Sequence, residues 1–248
     1  MPSRRAFLTG LSGVTLGAAT AGCISDLTDS ASTGESLGLT DDRLAFRDGF
    51  ENQRLDYREK YGDHGVWGLD GPRRPALGRG VVYEGAWTTR FDLPERNGGR
   101  PFATGHAAAL VFSLDERRRV WFWLGARARQ PDDRLGRTNL TRLSVSTQPG
   151  TGWELTGAAP RAPTRDGPVS VALDDRGPRA SVPLETGGLA ADTFELGPEG
   201  TVEVAWQGGA GGTRAVHAVV EYAPLGDGEA EAFGPPVSVR ATATRGAF

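Results

Sequence analysis

The sequence predicts an all-β protein, an antiparallel sandwich with a closed barrel as the alternative, preceded by one short helix. Three observations carry that expectation. From Gly80 onward apolar residues recur with period two, the spacing that lines one face of a strand. The runs are short and divided by turn formers, among them Pro149-Gly150, Arg176-Gly177-Pro178, Pro198-Glu199-Gly200 and the glycines of 208–212. Helical periodicity is confined to one segment near the N-terminus, which argues for packed sheets and against alternating strand and helix.

The chain opens on a segment of a different kind. Ser3-Arg4-Arg5-Ala6-Phe7-Leu8 sets two arginines ahead of a mild apolar stretch, Ala6 to Gly22, broken by Gly10, Gly13 and Gly17. A membrane span needs about 18 or more apolar residues, and this stretch is too short and too polar for one. A charged start, a weak apolar middle and small residues before a cleavage point form the layout of a secretory signal. Adjacent arginines mark the twin-arginine (Tat) route. The run resembles the Tat consensus S-R-R-x-F-L, with Thr9 where lysine is frequent.

Thr20-Ala21-Gly22-Cys23 resembles a lipobox, with Thr20 in place of the usual leucine. The resemblance implies cleavage before Cys23 and a lipid thioether on its sulfur. Gly, Ala, Pro and Arg are abundant and Lys60 is the sole lysine. Together these features are similar to those of lipoproteins from halophilic archaea. The resemblance covers residues 1–23 alone, and it implies a body held at the extracytoplasmic face of the cell membrane.

Residues 24–39 are rich in Ser, Thr, Asp and Gly, a composition that predicts a flexible tether between lipid and body. Asp48-Gly49-Phe50-Glu51 has the spacing of a capped helix start. The helix is expected to run through Tyr61, supported by Asp56 and Lys60 at i,i+4, and to stop at Gly62. Residues 40–248 are then a single sandwich domain.

Its first strand is expected to place Val81, Tyr83, Trp87, Thr89 and Phe91 on one face and Glu84, Thr88, Arg90 and Asp92 on the other. Residues 107–114 and 119–126 form a hairpin around the charged tip Asp115-Glu116-Arg117-Arg118. Further strands are expected at 140–147, 153–156, 169–174, 180–184, 193–196, 201–206, 215–222 and 237–244.

Trp121 and Trp123 point one way from their strand while Val120, Phe122 and Leu124 point the other. A strand apolar on both faces belongs in the middle of a sheet, with a core on one side and a cover on the other. Residues 46–61 are the expected cover. If the tryptophans stay open instead, they form a stacking platform for sugar rings, since rigid aromatics bind with little loss of entropy.

Asn139-Leu140-Thr141 is an N-glycosylation sequon, usable if its strand is exposed there. Gly34-Glu35-Ser36-Leu37-Gly38 matches the nucleophile-elbow pattern but lacks the strand-to-helix context that strains and exposes the serine. His64, His106 and His217 show no close ligand spacing, so no metal is expected. The pairs Asp41-Asp42, Asp132-Asp133 and Asp174-Asp175 lack the alternating ligands of a calcium loop and read as solvated turns. No cofactor fingerprint is found.

Cys23 is the only cysteine, so the body has no internal disulfide and no thiol nucleophile. A body without disulfides suits the Tat route, which carries proteins already folded in the reducing cytoplasm. The formal net charge is −3 with 28 basic residues, and Arg4 and Arg5 leave with the leader. A mildly acidic body offers no footprint for nucleic acid. The sequence thus points to a membrane-anchored extracytoplasmic lipoprotein with a non-catalytic binding or structural role, its ligand unspecified. The alternative is an extracytoplasmic hydrolase acting on polysaccharide through acids from distant loops.

Overall fold

The computed structural model describes residues 29–39, 55, 59, 75–94, 100–131, 136–162, 170–181, 187–226 and 232–247. Through them run β1 (Asp29–Gly38), β2 (Ala76–Leu77), β3 (Val82–Leu93), β4 (Ala103–Leu114), β5 (Arg117–Ala128), β6 (Gly136–Thr147) and β7 (Trp153–Ala159). The chain continues with β8 (Ser170–Asp174), β9 (Gly177–Ser181), β10 (Gly188–Glu195), β11 (Thr201–Ala210), β12 (Thr213–Pro224) and β13 (Pro236–Ala247). The strands expected from Gly80 onward are present, except that of 180–184 only 180–181 are described, as the end of β9. Most extend several residues beyond the apolar run, because backbone pairing does not stop where apolar side chains do.

Two five-stranded antiparallel sheets form the sandwich, in the orders β1-β13-β6-β11-β10 and β3-β4-β5-β12-β7. Neither closes on itself, so the fold is a sandwich and the barrel is set aside. Alternate residues of both sheets meet between them. Leu140, Leu143 and Val145 of β6 and Trp206 of β11 join Phe122 and Leu124 of β5 and Val220 and Tyr222 of β12 in one core. Burying side chains of this size contributes about 1.5–3 kcal/mol each.

A small third sheet, β2-β8-β9, lies outside the second sheet. Its Val171 and Leu173 pack with Leu110, Phe112, Trp121, Trp123 and Val219 in a second apolar cluster. The molecule is therefore three layers deep over β5, which stands in the middle of its sheet as its two apolar faces require. Residues 46–61, the expected cover, lie outside the described residues apart from Leu55 and Glu59, as does most of the expected helix.

Two expectations are corrected. Register slips between Tyr83 and Gly85 in β3, and an extra residue moves every later side chain to the opposite face. Trp87 and Phe91 accordingly reach the main core, whereas Val81 and Tyr83 pack on the outer cluster. The expected single face is split.

The second correction concerns the tether. Its 29–38 portion is a strand, paired along its whole length with β13 from Asp29↔Arg245 to Gly38↔Pro236. An edge strand needs a backbone partner on one side only, so Ser, Thr and Gly suffice where the neighbouring strand is already fixed. The domain thus begins at Asp29, not at residue 40.

Phe91 and Gly105 face each other across β3 and β4, and the ring lies over the glycine where a β-carbon would stand. Gly105→Ala is expected to cost about 1–3 kcal/mol by forcing the ring out of place. Urea unfolding would measure it, and adding Phe91→Leu should recover part of the loss.

Candidate functional site

The strongest polar constellation among the described residues lies on the outer face of the second sheet, beneath the small one. Alternation puts Arg117 and Arg119 of β5 on the same face as Trp121, and Glu221 of β12 follows Val219 there. Arg119 is 1 % exposed and Glu221 4 %. The Arg119 Nε donates to Glu221 Oε2 at 2.6 Å. Its Nη2 lies 2.5 Å from the same oxygen, in ion-pair contact without hydrogen-bond alignment.

The other carboxylate oxygen accepts from Thr156 Oγ1 at 3.0 Å and from Arg117 Nη1 at 3.4 Å. Arg119 Nη1 also donates to the carbonyl of Asp174, the last residue of β8. One guanidinium thus joins the second sheet to the small sheet that covers it. At the same turn the Asp174 carboxylate accepts from the Arg176 amide and pairs with Arg179. Burial pushes this carboxyl up, but the Arg176 amide and the Arg179 guanidinium outweigh it and hold it below the usual carboxylate range.

Beside the ion pair, Trp121 Nε1 donates to His217 Nδ1 at 3.4 Å, the rings stacked with centroids 6.1 Å apart. Acceptance at Nδ1 places the imidazole hydrogen on Nε2. Burial drives His217 down to about 3, so it is neutral over the physiological range. His106 is on the same face of β4, half-buried, and is lowered to about 4 by burial and then by Arg90. Strand β5 lies between the two histidines, and His64 is outside the described residues. Among the described residues no three His, Cys, Asp or Glu side chains gather where they could hold a metal.

Trp121 and Trp123 are both 0 % exposed. The open stacking platform is therefore corrected: the small sheet packs with both indoles, leaving no ring face for a sugar. Asn139 lies inside β6, opposite Thr244 of β13 and half-buried, with Leu140 next to it in the core. The Thr141 hydroxyl of the sequon donates to the Thr242 carbonyl at 3.3 Å. Ser36 of the elbow-like run sits in β1 opposite Ser238. Asp41-Asp42, Asp132-Asp133, Cys23, Arg4 and Arg5 lie outside the described residues.

The buried pair itself was missed at the level of sequence, although a signal existed. Arg119 opens an apolar run and Glu221 nearly closes another, and charges at matching positions of neighbouring apolar strands need each other. The outer face of the first sheet is polar, although Ser144 and Ala205 at its middle are buried. There Arg142 pairs with Glu203 at 2.9 Å, and Ser146, Ser238 and Arg240 stand on neighbouring strands.

The chain is thus a layered antiparallel β-sandwich with a buried ion pair beneath the small sheet that covers its second sheet. Comparison with protein-family models found no match, and comparison with curated proteins found no similar chain.

Two expectations follow from this cluster. Glu221→Ala leaves Arg119 buried without its carboxylate and should cost about 3–5 kcal/mol in urea unfolding, whereas the double variant Arg119→Met/Glu221→Leu should recover most of it. His217 is neutral when folded but protonates below about 6.5 when unfolded. The unfolded state therefore binds more protons in that window, and stability, full above about pH 6.5, declines as pH falls toward about 3. His217→Asn should flatten that decline by about 1.4 kcal/mol per pH unit, measured as unfolding free energy between pH 7.5 and 5.

Proposed function

We propose that this chain is a lipoprotein exported by the Tat route and held by Cys23 at the extracytoplasmic face of the cell membrane, where its sandwich has a non-catalytic binding or structural role. The observation that carries the reading is the leader itself: Arg4-Arg5 ahead of a weak apolar stretch that closes on Thr20-Ala21-Gly22-Cys23. The body supports it, because a sandwich without cysteines can fold before export. No helix among the described residues is long and apolar enough to cross a membrane; in this reading the acyl chains on Cys23 provide the retention. These contribute about 0.8 kcal/mol per buried methylene, and two chains hold where one is marginal.

A binding role does not fall to the tryptophans of β5, since both indoles are buried. Neither Glu221 nor Asp174 supports the hydrolase alternative. Glu221 is enclosed by Arg119, Arg117 and Thr156, and Asp174 is paired with Arg179.

Cys23→Ser is expected to move the protein from the membrane fraction into the medium, as followed by fractionation and immunoblotting. Arg4→Lys with Arg5→Lys should instead leave the unprocessed precursor inside the cell. Retention of the Cys23→Ser protein at the wild-type level would refute the anchor.

A further inference from the structure

The two ends of the sandwich differ in charge. Strand β1 starts at the end where Asp29 faces Arg245 and Arg245 faces Thr138. The second sheet reaches the same end. Gln130 Nε2 donates to the carbonyls of Thr138 and Gly211, and the Ala128 amide donates to the Gly212 carbonyl.

Around this end stand Arg100, Arg127, Arg129, Arg137, Arg214 and Arg245, the first four exposed. Arg245 is fastened there, its Nε 2.9 Å from Thr138 Oγ1 and its guanidinium 4.3 Å above the Phe102 ring. Among the described residues the acids at this end are Asp92 and, by its place in β1, Asp29. The opposite end carries Glu84, Asp115, Glu116, Glu154, Glu195 and Glu199, with Arg118 paired to Glu84 and Arg117 to Glu221. A chain of net charge −3 thus gathers positive charge at one pole.

That pole is the one from which the N-terminal segment leaves. Only residues 24–28 separate Cys23 from Asp29, and a fully extended chain of that length reaches about 20 Å. Part of that reach is taken up in crossing the headgroup layer, so the basic end cannot stand far from the phosphates. Arginine suits such a contact, because its fork binds phosphate oxygens through two parallel hydrogen bonds.

We propose that this arginine-rich end is a docking surface for the phosphate headgroups of the membrane that holds acylated Cys23, so that the sandwich stands end-on with its acidic pole outward. The proposal rests on the lipid anchor and adds an orientation to it.

The test uses the full lipidated chain, isolated from membranes and placed in vesicles of phosphatidylcholine with or without phosphatidylglycerol, with a nitroxide on some headgroups. A fluorophore is attached through Gly212→Cys at the basic end, where a side chain meets nothing within 4 Å, or through Glu199→Cys at the far end. Cys23, being acylated, takes no label. Strong quenching at position 212 but not at 199, requiring the anionic lipid, is expected.

Charge reversal at Arg127, Arg129 and Arg137 to Glu should weaken docking by about a hundredfold, at about fivefold per arginine. Circular dichroism would establish that this variant is folded. Equal quenching at the two positions, quenching at 212 without anionic lipid, or quenching untouched by the reversals would overturn the docking while leaving the anchor intact. A mass spectrum without lipid on Cys23 would overturn both.

Discussion

The structure depends on the two-sided apolarity of β5. Val120, Phe122 and Leu124 fill the space between the large sheets, and Trp121 and Trp123 on the reverse face must be covered as well. An uncovered strip of two indoles would be a sizeable exposed apolar patch. A two-layer sandwich cannot satisfy such a strand. The small sheet meets the need, with Val171 and Leu173 seated against the indoles and their neighbours.

A cover that small makes a weak interface by area alone, and the buried ion pair gives it a fixed position. Arg119 binds Glu221 within its own sheet and reaches the Asp174 carbonyl in the cover. Burying two charges is costly, and such pairs are weak evidence for net stability. Their better-attested effect is on register: the guanidinium is satisfied only when the end of β8 arrives at that place. His217, neutral and stacked on Trp121, tolerates the same dry environment.

These features turn the molecule's chemistry outward. Arg119, Glu221 and His217 of the second sheet are buried, while charged side chains stand exposed at the two poles. The sandwich is in this respect a body with sides and ends: one polar face, one covered face, one basic pole beside the N-terminal segment and one acidic pole away from it.

The sequence by itself determined the sandwich class, nearly every strand after Gly80 and the opposed faces of β5, because these depend on local spacing. Its period-two reading failed at Gly85, where one inserted residue in β3 reversed the face, and at 29–38, where a polar strand is held by a neighbour more than 190 residues away. The partner of Arg119, the cover over the tryptophans and the gathering of arginines at one end were decided only by tertiary structure. Each depends on which strands lie side by side and in what register, and no local pattern of residues encodes that.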